Sequence, residues 1–336
     1  SGDNECDLVP FWAGVPFNPD RNRLTREILP QTVLRHDPGR PYLASSPWCP
    51  ERAWREGGRR RVSPDTLVPE QHLWGPRDYF KSDFYRNSEA SFVSEIGYHG
   101  APDAASIRKF AGEAEGAARR GNEAWLYHGS NPFIDGDRAL DYRIGLMEDQ
   151  VKEMFGEVPA RLEDFVLASQ ICQAEAKKYF IELVRSKRTM SGILWWNLID
   201  CWPQFSDAVV DYYFVRKLAF SYIKRVQRDF VIILPEAAGW MQRVVAVNDS
   251  RREMAGRYRV FDGEGGEVLT EGAFTVGAGE IVELARVKIC VTEQRLWLIE
   301  WTLADGAKFG NHAVTGQPQF ELARYRERWL PAIQAL

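Results

Sequence analysis

The sequence predicts an α/β region over residues 1–228 followed by a small all-β sandwich of immunoglobulin-like size over residues 229–336. Three observations carry this. Up to residue 228, short apolar runs alternate with longer stretches of helical periodicity, which implies a parallel sheet or barrel. Beyond it the period becomes two. Trp297, Ile299, Trp301 and Leu303 point one way, and Leu298, Glu300 and Thr302 the other. Between two such strands, Asp262-Gly263-Glu264-Gly265-Gly266 lacks the full G-x-G-x-x-G spacing and reads as a hairpin turn rather than a phosphate loop.

The elements follow in order. Residues 1–18 hold no complete helix or strand. Residues 20–35 predict a helix, with Asp20 as N-cap and Leu24, Ile28 and Leu29 on one side. Residues 41–47 predict a short strand, and the Arg-, Gly- and Pro-rich stretch 49–69 a surface loop. Strand ends follow at His72-Leu73-Trp74 and at Ala90–Glu95. Residues 103–120 predict a helix, 125–137 a loop and 140–155 a helix. The clearest helix spans 160–188. Leu162, Phe165, Val166, Cys172, Ala176, Phe180 and Leu183 recur at three- and four-residue spacing. Glu163 and Asp164 at its start and Arg185, Lys187 and Arg188 at its end complement the helix dipole. Ser191–Asp200 predicts a buried strand that runs out into polar residues, and 213–227 a further helix.

Composition narrows the function classes. The 336 residues suffice for one large domain and a small one. A net charge of −4 argues against the basic face that nucleic acid requires. No apolar run reaches the roughly 18 residues of a membrane span, so no membrane partner is expected. Cys6, Cys49, Cys172, Cys201 and Cys290 are scattered without C-x-x-C spacing, which suggests neither a zinc site nor a disulfide framework. No metal-ligand cluster stands out, and no cofactor is expected. The twelve tryptophans suit packing, and some suit the stacking of flat apolar faces such as those of sugars.

Two carboxylates stand at apparent strand ends, Glu5 in G-D-N-E and Glu95 in F-V-S-E-I-G. A glycosidase needs such a pair, one to protonate the leaving oxygen and one to attack the anomeric carbon or activate water. G-D-N-E at 2–5 resembles the end of the fourth barrel strand in glycoside hydrolase family 2, and F-V-S-E-I-G at 92–97 resembles its nucleophile strand, the seventh. The helix sequence at 168–185, then G-I-L-W-W-N-L-I-D-C-W-P at 192–203 and V-V-D-Y-Y at 209–213, resemble the β-mannosidase-like branch. The matches occur in order and cover residues 1 to about 227.

The resemblance implies a partial (β/α)8 TIM barrel, from the tail of strand four through strand eight, followed by the sandwich. It implies a retaining exo-β-glycosidase acting on terminal β-mannosyl residues by double displacement. Glu5 would be the acid/base, Glu95 the nucleophile and Asn4 the ligand of the sugar 2-hydroxyl. Trp196 would form the floor under the sugar, and His72 and Trp74 would lie at the sixth strand end. Trp12 would line the leaving-group side, and Asp200 would close the pocket. Another β-glycoside (galactoside, glucuronide or glucosaminide) is the alternative substrate, and a non-catalytic carbohydrate-binding relative the alternative class. A complete family member carries further domains and three barrel strands before the acid/base. The chain is therefore expected to depend on N-terminal domains of the same protein or on self-association, and to be inactive alone. Localisation stays open between exported and cytoplasmic. Tyr98 and His99 are expected to pack a loop, and His312 to be structural. Asn248-Asp249-Ser250 is a formal glycosylation sequon.

Overall fold

The computed structural model describes residues 1–7, 22–48, 70–88, 90–131 and 138–336. They form two units. The first comprises Ser1–Gly75, Asn87–Ile96 and Thr189–Trp195, and the second Pro76–Arg86, Gly97–Arg188 and Trp196–Leu336. Residues 229–336 thus fall into one unit with most of the helices.

The first unit is built on a three-stranded sheet of β1 (Glu70–His72), β2 (Phe92–Gly97) and β3 (Gly192–Trp196), with β2 in the middle. β1 and β2 run parallel, as strands joined by a crossover do. Their register is irregular. Gln71 faces Val93, but His72 faces Glu95, so Ser94 is skipped. A bulge of this kind re-aims side chains, and here it sets a histidine opposite a carboxylate. The predicted first helix is a π-helical turn, Leu24–Ile28, continuing into α1 (Leu29–His36). Leu24 and Ile28 are exposed. Asp20 and the predicted loop 49–69 lie outside the described residues. In place of a strand at 41–47, Ser46 makes a single parallel bridge with Asn4.

The longer helices of the second unit are α2 (Ala104–Phe110), α3 (Glu123–Gly129), α4 (Arg138–Phe155), α5 (Leu162–Arg185) and α6 (Leu218–Val226). Three depart from expectation. The helix predicted over 103–120 stops at Phe110, because Gly112 turns left-handed at φ +67 just past its end. The loop predicted at 125–137 opens as α3, because the Asn122 side chain caps the Trp125 N–H at 3.2 Å. α6 begins at Leu218, because the Asp211 carboxylate holds the N–H groups of Tyr213 and Val215 in a turn. At Gly100, a Cβ would lie 2.4 Å from the Gln173 amide oxygen, so glycine lets α5 pass.

The sandwich holds β4 (Phe230–Ile233), β5 (Met241–Asn248), β6 (Met254–Asp262), β7 (Val268–Val276), β8 (Ile281–Lys288), β9 (Arg295–Leu303) and β10 (Lys308–Thr315). One antiparallel sheet has the order β10-β9-β6-β7 and the other β4-β5-β8. Their core includes Trp297, Ile299 and Trp301, from one side of the predicted alternation, with Phe230 stacked on Phe274 at 5.1 Å. Leu298, on the opposite side, is also buried. It faces His312 across the ladder, and His312 bonds to α5, so a helix covers that face.

That contact is a buried polar seam. Glu175 of α5 accepts from His312 Nε2 at 2.9 Å and from the Tyr325 hydroxyl at 2.5 Å. Glu182, two turns on, accepts from Asn311 at 2.7 Å and from Lys178 at 2.7 Å. Burial pushes His312 down to about 4, against the pull of Glu175. At neutral pH it is an uncharged donor, holding Glu175 through its N–H. Burial raises Glu175, but His312, Lys178 and Tyr325 outweigh it and hold the carboxyl at about 2. His99 is also pushed down to about 4 by burial, although Asp207 lies 3.2 Å away.

A group with a lowered folded-state pKa binds its proton more readily when unfolded. Both histidines are therefore expected to destabilise the fold as pH falls from 6.5 to about 4. Each contributes a slope of about 1.4 kcal/mol per pH unit. Melting curves across that range should steepen accordingly, and His99→Gln with His312→Gln should flatten them. A wild-type profile already flat from pH 7 to 4 would contradict this.

Candidate active site

Four of the predicted site residues converge in the first unit. His72 Nδ1 lies 2.8 Å from Glu5 Oε1 and 3.3 Å from Glu95 Oε2. The Trp74 indole N–H donates to the same Glu95 oxygen at 2.8 Å. One oxygen of each carboxylate and one His72 nitrogen all lie within 4.8 Å of one another. The His72 side chain is sealed at 1% exposure, while Glu95 is 12% and Glu5 22% exposed. The carboxylates face the opening and the histidine backs them.

The chain builds this locally. The β1–β2 register irregularity aligns His72 with Glu95, and the Leu73 N–H donates to the Glu95 carbonyl at 2.7 Å. The Glu5 N–H donates to the Ser46 carbonyl at 2.7 Å, and the Ser46 N–H to the Asp3 carbonyl at 3.0 Å. Glu5 itself sits at φ +62, a left-handed conformation uncommon for any residue but glycine. Such outliers cluster where a side chain is held for function.

The sequence reading missed two residues. The Ser46 hydroxyl donates to Glu70 Oε1 and lies 3.0 Å from His72 Nε2. An ionised carboxylate only accepts, so the Ser46 hydrogen goes to Glu70, and its oxygen accepts from His72 Nε2–H. Nδ1 then faces two carboxylates. A signal for Ser46 existed in the short stretch 41–47. Glu70 carried no mark beyond its place two residues before His72.

Burial raises the Glu95 carboxyl above its ordinary value, the Trp74 bond and His72 pull it back, and the charge of Glu5 raises it further. Asn4 is exposed beside Glu5. Trp196, the last residue of β3, and Asp200 fall beyond the boundary of the first unit at Trp195. Trp196 is partly exposed, and its carbonyl accepts from Lys177. Asp200 is buried and accepts from Gln204 at 2.7 Å and Ser206 at 2.9 Å. Trp12 lies outside the described residues. Tyr98 donates to the Asp78 carbonyl. The Asn248 amide of the sequon is buried and donates to the carbonyls of Arg252, Val276 and Gly277, so it presents no acceptor for a glycan.

No family model matches the chain. Beta-mannosidase B of Aspergillus terreus is 27% identical over 208 residues, which is 60% of this chain and 22% of that protein. Beta-mannosidase B of Aspergillus fumigatus is 27% identical over 246 residues, 67% of this chain and 26% of that protein. The solved beta-D-mannosidase from Dictyoglomus thermophilum superposes with a TM-score of 0.73 at 22% identity, over 95% of this chain and 38% of that one. By sequence and by fold the chain is similar to beta-mannosidases. This β-mannosidase-like chain also shares its fold with the exo-chitosanase CsxA of Amycolatopsis orientalis, at a TM-score of 0.53 and 16% identity over 73% of its length. It spans between 22% and 27% of the length of the curated mannosidases it matches.

Proposed function

We propose that this chain carries the catalytic pair of a retaining exo-β-glycosidase that removes terminal β-mannosyl, or related β-glycosyl, residues. In this reading residues 1–228 are the later strands of a (β/α)8 barrel, and residues 229–336 an immunoglobulin-like domain. The observation that carries the proposal is the approach of Glu5 and Glu95 to within 4.8 Å. Retaining enzymes hold their carboxyls about 5–5.5 Å apart, and inverting ones about 6.5–9.5 Å to admit a water.

The roles follow from the contacts. Glu95 Oε2 is engaged by Trp74 and His72, which leaves Oε1 to attack the anomeric carbon. Glu5 is bound to His72 through Oε1, which leaves Oε2 to give a proton to the departing oxygen. Esterification of Glu95 removes its charge and with it the repulsion between the carboxylates, and Glu5 then takes a proton from the incoming water. Asn4 serves as ligand of the 2-hydroxyl.

The test is a panel of aryl β-glycosides offered to the whole protein, with the first-formed anomer read by NMR. The β-mannoside should be turned over with the β-anomer appearing first; an α-anomer first would sink the retaining assignment. The free enzyme needs Glu95 ionised. Because burial raises that carboxyl, kcat/KM should fall on the acid side with an apparent pKa above 4.5. Trp74→Phe removes the indole donor that lowers it, so that limb should move upward. A limb that stays put, or moves down, contradicts the placement.

A second reading has one observation in its favour. Two carboxylate oxygens and an imidazole nitrogen within 4.8 Å could seat a divalent cation. Dialysis against EDTA separates the two. The glycosidase reading expects aryl-glycoside turnover to stay within about twofold, because paired carboxyls and water suffice.

A further inference from the structure

We infer that the second unit carries a separate binding site for a small neutral polyol of monosaccharide size. A cavity of about 310 Å³ opens between the 79–86 segment, α5, the β4–β5 connection and the turn after β10. That volume stands at the lower end of small-molecule sites, roughly 300–1,000 Å³. Every lining residue belongs to the second unit.

The lining selects by charge. Lys81 pairs with Glu236 at 2.8 Å and Lys178 with Glu182 at 2.7 Å, while Glu175 is held by His312 and Tyr325. Both lysines already meet carboxylates within the protein, and Glu175 adds a further negative charge, so an anionic ligand finds no free counter-charge among them. A neutral ligand loses nothing by that.

The lining also offers hydrogen bonds. Tyr179 lines the cavity, is more than nine-tenths buried, and its hydroxyl has no hydrogen-bond partner among the described residues. Buried hydroxyls are rarely left so. Lys81 spends two of its three N–H donors on Glu236 and the Val314 carbonyl, leaving one. Gln242 spends both amide hydrogens on the carbonyls of Pro235 and Arg243, leaving Oε1 as an acceptor. Two donors and an acceptor beside the rings of Phe80 and Tyr179, whose centroids lie 5.7 Å apart, suit a ring with one apolar face and hydroxyls around its rim.

The experiment uses the whole protein carrying Glu95→Gln, so that turnover does not confuse binding. Titration with methyl β-mannoside and methyl β-glucoside, followed by calorimetry, should reveal a saturable site that survives this substitution. Tyr179→Phe should weaken binding at that site at least fivefold, and Ala237→Trp, which fills the cavity, should abolish it. Glucuronate should bind at least tenfold more weakly than the neutral sugars. The inference is overturned if no saturable binding of either neutral sugar is detected, if both cavity variants bind as the parent does, or if glucuronate binds as well. It does not rest on Glu5 and Glu95 being catalytic: an inactive protein that still binds at this cavity would uphold it.

Discussion

Glu95→Gln is expected to lower kcat/KM for an aryl β-mannoside on the order of 10⁴-fold, a loss of about 5 kcal/mol of transition-state stabilisation. The amide keeps the shape of the carboxylate and can still accept from Trp74, but it cannot form the glycosyl ester. Turnover should return to Glu95→Ala when azide is supplied, because the small anion enters the space left by the carboxylate and attacks the same carbon. The product should then be the α-glycosyl azide. Melting temperature is the control. Burial makes the Glu95 charge unfavourable in the fold, so removing that charge should leave the melting temperature unchanged or raise it. Full activity in Glu95→Gln, or loss of activity only in step with a lower melting temperature, would remove Glu95 from the mechanism.

The largest stability effect is expected at the seam between α5 and β10. His312→Ala takes the Nε2–H donor away from a buried carboxylate, Glu175, and leaves it to the Tyr325 hydroxyl. Removing one partner of a buried charged hydrogen bond costs about 3 kcal/mol. His312→Gln, which can return a donor, should recover part of this. Chemical denaturation at pH 7 measures both. A loss under about 1 kcal/mol for the alanine variant would mean that the seam does not hold helix and sandwich together.

What was legible in the sequence was chemistry at strand ends. Glu5, His72, Trp74 and Glu95 all stand out in the sequence, and all four meet in the fold. Period and composition found α4, α5 and the sandwich strands for the usual reason, that apolar spacing must match the element that buries it. What failed to show was polar burial. α5 reads as an amphipathic helix, yet 18 of its 24 residues are buried, including Gln173, Glu175, Lys177, Lys178 and Glu182. Apart from the Lys178–Glu182 pair, their partners lie outside the helix, at 196, 311, 312 and 325 among others. No local pattern encodes a pairing 137 residues distant. Ser46 and Glu70 were hidden for the same reason. Each is an unremarkable polar residue until the fold lays it against a histidine.

The seam also bears on how such chains can be recombined. A boundary drawn near residue 229, where strand periodicity begins, invites the sandwich to be exchanged between relatives as a cassette. The donors to Glu175 and Glu182 would leave with it, since Asn311, His312 and Tyr325 all lie beyond that point. A graft cut there would place two buried carboxylates against a foreign surface. Chimeras should tolerate the exchange only when α5 travels with the sandwich, so the unit of inheritance is helix and sheets together.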